Sequence, residues 1–242
     1  MIGTLAGHCG IVTSATTPWG RAVAHELAGD GARLAIGYRG FRGADLQAAE
    51  QLARKVACLG GEGVPLRVPL GAPDELDAVL ESLATCWGRL DFVIDVDADS
   101  LVSGAALPMM LRRNHGWIVA VGQLRGSSVP FDRRQLREFA EHGVAVNCVA
   151  VGALESGPGS SSDNDRRTQP DGRTCVGTVA QAGDVAAMVH FLLTQGVCIT
   201  VQLIDLSGVQ DDPPQRYAPP TWSRFDSQLL RRLGPQAGSR VN

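Results

Sequence analysis

The sequence predicts an α/β protein with one doubly wound parallel sheet of about seven strands. Two observations predict the class. Short apolar runs alternate along the chain with longer segments whose apolar residues recur at helical spacing. That alternation needs right-handed crossovers, which cover both faces of a parallel sheet. A third observation bounds the size: 242 residues, 44% of them hydrophobic, fill one full-sized core, and α/β sheets of this length are often single domains.

Cys9 to Thr13 (C-G-I-V-T) reads as a short buried strand. Trp19 to Ala28 places Ala22, Val23, Leu27 and Ala28 at helical spacing, and Gly29-Asp30-Gly31 stops that helix. Arg33 to Tyr38 is a second strand, a helix follows over Asp45 to Leu59, and Val64 to Val68 is a third strand. Ala72-Pro73-Asp74-Glu75 opens a helix, because proline is pre-set for a first helical turn; Leu76, Val79, Leu80 and Leu83 then face the sheet. Phe92 to Val96, Trp117 to Val121, Val144 to Val149 and Ile199 to Ile204 complete the strands.

A net charge of −3 offers no electrostatic footprint for nucleic acid. The cysteines at 9, 58, 86, 148, 175 and 198 form no C-x-x-C and no Cys/His pair at metal-ligand spacing, so no metal is expected and buried thiols in a reducing compartment are the plain reading. No charged segment followed by an apolar one opens the chain, and no run approaches the roughly 20 apolar residues that span a bilayer. A cytoplasmic protein without a membrane partner is expected.

Four segments carry a resemblance. T-L-A-G-H-C-G-I-V-T-S-A-T-T-P-W-G-R-A-V-A-H-E-L-A-G-D-G-A-R-L-A-I (4–36) resembles the first βαβ unit of the short-chain dehydrogenase/reductase superfamily. W-G-R-L-D-F-V-I-D (87–95) is similar to that family's fourth strand, and H-G-V-A-V-N-C-V-A-V-G-A-L-E-S (142–156) to its sixth strand and the turn beside the nicotinamide. A-G-D-V-A-A-M-V-H-F-L-L (182–193) with T-V-Q-L-I-D-L-S-G (200–208) resembles its closing helix and strand. The resemblance implies a Rossmann-like sheet of order 3-2-1-4-5-6-7 over residues 1–208, with 209–242 as a Pro-rich C-terminal extension. It says little about activity, because fold does not carry function.

The family's first turn reads T-G-x-x-x-G-x-G; here it is T-S-A-T-T-P-W-G (13–20), with Ser14 and Pro18 in place of the first two glycines and only Gly20 kept. Proline has no N–H for a phosphate oxygen. Ser14, Thr16 and Thr17 either donate hydroxyls to a phosphate or cap the following helix. Arg39, with Arg42 close by, stands where members preferring NADP carry a basic residue for the 2′-phosphate, unless both arginines are simply solvated. NADP(H) binding, weakened or lost, is therefore the cofactor expectation. Where the family has Asn-Asn-Ala-Gly, this chain has Asp95-Val96-Asp97-Ala98 and then Asp99. Those carboxylates read as a general base, as ligands of a divalent ion, or, preferred here, as solvated residues at a strand end whose former role has gone.

The resemblance further implies a long helix with a catalytic asparagine, then a serine, then Tyr-x-x-x-Lys. None is present. The single lysine, Lys55, and the two tyrosines, Tyr38 and Tyr217, lie elsewhere. Gln123 follows the fifth strand where the serine would stand, and Arg125, Ser127 and Ser128 are its nearest substitutes. The fourth and fifth helices are expected to be short, which would reduce the interface through which many family members pair. Met109, Met110 and Leu111 would then face either a different partner or, as preferred, the sheet. Residues 155–178 occupy the place of the substrate-covering loop, and their Gly, Ser, Asp and Pro content predicts mobility and little apolar wall. Phe225, Leu229, Leu230 and Leu233 suggest a short amphipathic helix in the extension, docking on its own core or a second subunit, or binding another protein.

Three functions stay open. The first is an atypical or non-redox enzyme on a small, polyketide-like molecule, with Asp95, Asp97 and Gln123 as weak catalytic candidates. The second is a non-catalytic binding module or partner subunit. The third is an NADP-dependent oxidoreductase using substitute residues.

Overall fold

The computed structural model describes residues 3–40, 43–69, 72–96, 101–123, 133–151 and 180–206. Seven parallel strands form one sheet: β1 (Cys9–Val12), β2 (Arg33–Tyr38), β3 (Glu62–Arg67), β4 (Phe92–Val96), β5 (Gly116–Gln123), β6 (Val144–Val151) and β7 (Gln202–Asp205). Their spatial order is β3-β2-β1-β4-β5-β6-β7, as expected. The helices are α1 (Pro18–Gly29), α2 (Gly43–Cys58), α3 (Pro73–Trp87), α4 (Leu101–Arg113), α5 (Arg133–Glu141) and α6 (Ala182–Thr194). Only the last strand starts clearly later than the sequence predicts. Val201 has φ 62°, a left-handed conformation unfavourable for a β-branched residue, and register with β6 begins one residue on, at Gln202 opposite Asn147.

Strand side chains alternate between two apolar layers. On one face Val12, Ile36, Phe92, Ile94, Val119 and Val149 meet α1, α2 and α6 through Val23, Leu27, Leu52, Val56, Val189 and Leu192. On the other, Ile11, Val93, Ile118 and Val146 meet α3, α4 and α5 through Leu80, Leu107, Met110 and Phe139. Gly10 sits opposite Phe92 in the β1–β4 register, and a Cβ there would overlap the Phe92 ring, so this glycine makes room for the largest side chain of the central strands.

Within the described residues α5 is the shortest helix, and α4 is shorter than α2 and α3 though no shorter than α1 or α6. α4 has 13 residues and α5 nine, against 16 in α2 and 15 in α3. α4 carries Pro108 inside, which leaves the Gly104 carbonyl without its i→i−4 donor. Met110 and Leu111 are core residues and Met109 packs against the same layer, so this face is spent on the sheet. The expectation of buried cysteines holds for Cys9 and Cys148 but not for Cys58, Cys86 and Cys198, which are exposed: the first two lie on the outer faces of α2 and α3, the third in the α6–β7 turn. Among the described residues no helix is long and apolar enough to cross a membrane.

Candidate functional site

In a doubly wound sheet, ligands bind beyond the carboxyl ends of the strands where the strand order reverses. Here that crevice lies between β1 and β4, and the turn from β1 into α1 forms one wall. Ser14 adopts φ 43°, the left-handed region that favours glycine, and its buried Oγ has no hydrogen-bond partner. The Ser14 carbonyl accepts from the Thr17 N–H (3.0 Å) and from Thr17 Oγ1 (2.8 Å). Thr17 is also the N-cap of α1, its Oγ1 accepting from the Gly20 N–H at 3.3 Å, and Pro18 fills the first helical position. Gly20 is required because a Cβ would overlap the Ser14 carbonyl. The turn is pinned to β2 by the Ala15 N–H, which donates to the Gly37 carbonyl at 2.9 Å. The helix end is thus largely satisfied from within: Pro18 has no donor and Gly20's is used.

Thr16 lies half-buried in this turn, and its carbonyl accepts from the Arg21 guanidinium at 3.1 Å. Arg39, just past β2, is exposed on the same edge. The sequence-predicted cofactor residues Ser14, Thr16, Thr17, Gly20 and Arg39 therefore come together on one edge of the sheet, four of them in a single turn.

The opposite wall corrects a sequence expectation. Asp95 is not solvated: it is 2% exposed, because it points between β4 and α4 rather than out of the strand end. Its Oδ1 lies 3.1 Å from Thr13 Oγ1, and its Oδ2 accepts from Ser103 Oγ at 3.0 Å. Burial pushes the Asp95 carboxyl up, opposed by the hydrogen bonds of Ser103 and Thr13 and by the charge of Arg39. The hydrogen-bond count points the same way. Thr13 Oγ1 already accepts from the Val96 N–H (2.8 Å) and lies 3.1 Å from the Val96 carbonyl. If Asp95 is neutral, it donates to Thr13, which then donates to Val96, and every group in the network is served. If Asp95 is ionised, the one Thr13 proton must abandon the Val96 carbonyl. The protonated acid is the state this arrangement fits.

Sequence reasoning missed Thr13 and Ser103. The signal was present: each is a hydroxyl residue at a position that periodicity assigns to the interior, Thr13 closing β1 and Ser103 on the inner face of α4. Gln123 is the last residue of β5, at the carboxyl edge. Asp97, Asp99, Arg125, Ser127, Ser128, Tyr217, the 155–178 segment and the extension beyond Gly208 lie outside the described residues. Lys55 sits in the last turn of α2 and Tyr38 ends β2. β2 is three strand positions from β5, about 14 Å away at normal strand spacing, so Tyr38 does not substitute for a tyrosine beside β5.

Comparison with solved structures decides the architecture. A 7α-hydroxysteroid dehydrogenase complexed with NADH and 7-oxo glycochenodeoxycholic acid superposes with a TM-score of 0.70 at 17% identity, covering 87% of this chain and 97% of that one. The fold is that of the short-chain dehydrogenases/reductases. An actinorhodin polyketide ketoreductase with NADPH matches with a TM-score of 0.67 at 22% identity, over 86% and 98% of the two chains. In sequence, the chain is 24% identical to the 3-oxoacyl-acyl-carrier-protein reductase FabG of Escherichia coli (strain K12) over 244 residues, 84% of this chain and 96% of the relative. FabG of Vibrio cholerae is similarly 24% identical over 245 residues, 84% and 97% of the two chains. No protein-family model matches the sequence.

Proposed function

We propose that this chain is a divergent short-chain dehydrogenase/reductase of NADP-dependent ketoreductase ancestry that has given up hydride transfer and keeps its carboxyl edge to bind a phosphorylated small molecule, a nucleotide foremost. The observation that carries this reading is Asp95. It takes the place of the first family asparagine, but it is 2% exposed, with its two oxygens turned to Thr13 and Ser103 rather than towards a substrate. Family-type reduction needs a phenol whose pKa is lowered by a neighbouring ammonium, and Lys55 and Tyr38 lie in α2 and β2.

The residues fit a phosphate-bearing group in part. Gly20 preserves the close helix-to-turn approach, the unpartnered Ser14 hydroxyl is a spare donor beside it, and Arg39 is placed for a 2′-phosphate. Thr17 and Pro18 withdraw donors that a pyrophosphate would use. A bound nicotinamide would supply a hydride site; the described residues would hold its phosphates and ribose, and among them Lys55 and Tyr38 stand away from β5, where a proton donor would be needed.

Titration with NADPH and NADH, followed by bound nicotinamide fluorescence, tests the reading together with a carbonyl panel that includes 3-oxoacyl substrates. NADPH should bind more tightly than NADH, and Arg39→Ala should cost NADPH about 10-fold or more, the worth of a charge-assisted hydrogen bond. No NADPH oxidation should accompany binding. Steady turnover of any carbonyl would restore the reductase reading, and no NADPH binding at millimolar concentration would remove the nucleotide site.

A further inference from the structure

We infer that residues 221–234 of this chain pack on an apolar patch formed by the outer end of α6 and the turn that follows it. Scattered exposed apolar residues are ordinary, but here they gather. Phe191 is 38% exposed and Val197 51%. The Phe191 ring and the Ile199 side chain converge over Gly196, each 3.2 Å from where a Cβ on that glycine would lie, and the exposed Val197 follows Gly196 in the same turn. Among the described residues nothing lies on this patch.

The chain that follows β7 has the reach and the pattern to cover it. α6 runs antiparallel to the strands, so Phe191 and Val197 lie at the amino edge while β7 ends at the carboxyl edge. The connecting residues 207–220 include Pro213, Pro214, Pro219 and Pro220. At about 3.1 Å per extended residue they span roughly 40 Å, about twice the ~20 Å length of α6. Residues 221–234 then bring Trp222, Phe225, Leu229, Leu230 and Leu233 at i, i+3, i+7, i+8 and i+11, one apolar stripe of a helix, with Arg224, Arg231 and Arg232 between them. A segment tethered this closely meets the patch at high effective concentration, which favours it over a second copy or a separate protein.

Cys198 lies inside the patch, and Cys58 and Cys86 are exposed elsewhere on the core, so the native chain carries its own probe and references. In the full-length protein Cys198 should react with a thiol reagent at least about tenfold more slowly than Cys58 and Cys86, the protection that 1.4 kcal/mol of docking confers. The protection should be unchanged on hundredfold dilution. The full-length double variant Leu229→Asp with Leu233→Asp, altered outside the described core, should label Cys198 at the reference rate. Labelling of Cys198 in the unaltered chain as fast as Cys58 overturns the inference. So does protection lost on dilution, which assigns the patch to a second copy, or protection that survives the double variant.

Discussion

Asp91 and Asp95 stand four residues apart at the two ends of β4, on the same face of the sheet, each 2% exposed, and they are held in opposite ways. Asp91, at the amino edge, accepts from the Cys9 N–H at 2.8 Å and from Arg89 Nε at 2.7–2.8 Å, with His115 Nε2 at 3.7 Å. Its backbone also bridges both neighbours, donating to the Cys9 carbonyl and accepting from the Trp117 N–H. The pairing with Asp91 raises the Arg89 pKa above its usual value. Asp95, at the carboxyl edge, meets hydroxyls and backbone among the described residues, and burial pushes its pKa up. One end of the strand spends a carboxylate on locking β1, β4 and β5 together. The other hides a carboxyl group where this fold keeps its ligand. A buried acid is informative only with its partners named: a guanidinium makes it a clasp, hydroxyls make it a neutral hydrogen-bonding group.

Substitution should separate the two most sharply. Asp91→Ala leaves the half-exposed Arg89 without its partner and the buried Cys9 N–H without an acceptor, and should cost about 1–3 kcal/mol in urea unfolding. Asp95→Asn copies the neutral acid, its amide donating to Thr13 and its oxygen accepting from Ser103, and should cost less than about 1 kcal/mol near neutral pH. Equal losses from the two variants would break the comparison.

The pH dependence of stability sharpens it further. Asp95 has a folded pKa above its ordinary 3.8, so the unfolded chain gives up this proton first. The stability it contributes is complete below about pH 3.8 and is lost as the pH rises through the folded value. Over that interval the slope approaches about 1.4 kcal/mol per pH unit. Unfolding of the unaltered chain and of Asp95→Asn, compared from pH 3 to pH 9, should show the variant gaining on the parent as pH rises. Parallel curves would mean that Asp95 is ionised in the folded protein and that the hydroxyl network is read wrongly.

Much of this was legible in the sequence. The apolar period fixes each strand to within a few residues, because strands buried on both faces leave unbroken runs such as Phe92 to Ile94. The short α5 was legible from the distance between strand runs, and the burial of Met110 and Leu111 from the preference for packing on the sheet. The late start of β7 was not, since nothing local marks Val201 as left-handed. Asp95 was misjudged for a related reason. A strand end next to a ligand crevice is ordinarily wet, and only the approach of Ser103 from α4, eight residues on, closes it. The partners that decide a buried acid's state come from three elements, and a single sequence does not say which of its hydroxyls will meet.

The smallest expected effect concerns the strain left on the ligand edge. Ser14 sits where the related fold places glycine, at φ 43°, with its hydroxyl buried and unpartnered. A left-handed non-glycine residue costs roughly 1–2 kcal/mol, and an orphaned buried hydroxyl adds to that. Glycine would remove both while costing roughly 0.5–1 kcal/mol of extra chain entropy on folding. Ser14→Gly should therefore stabilise the protein by about 1 kcal/mol, read as a higher urea midpoint with an unchanged m-value. The same change removes the spare hydroxyl donor from the phosphate-binding turn, so NADPH binding should weaken in that variant. A less stable Ser14→Gly protein would mean that the hydroxyl serves a structural partner and that the edge carries no strain. A more stable one with weaker NADPH binding would assign the Ser14 hydroxyl a direct contact with the ligand, the outcome that ties the strain at this edge to function rather than to drift.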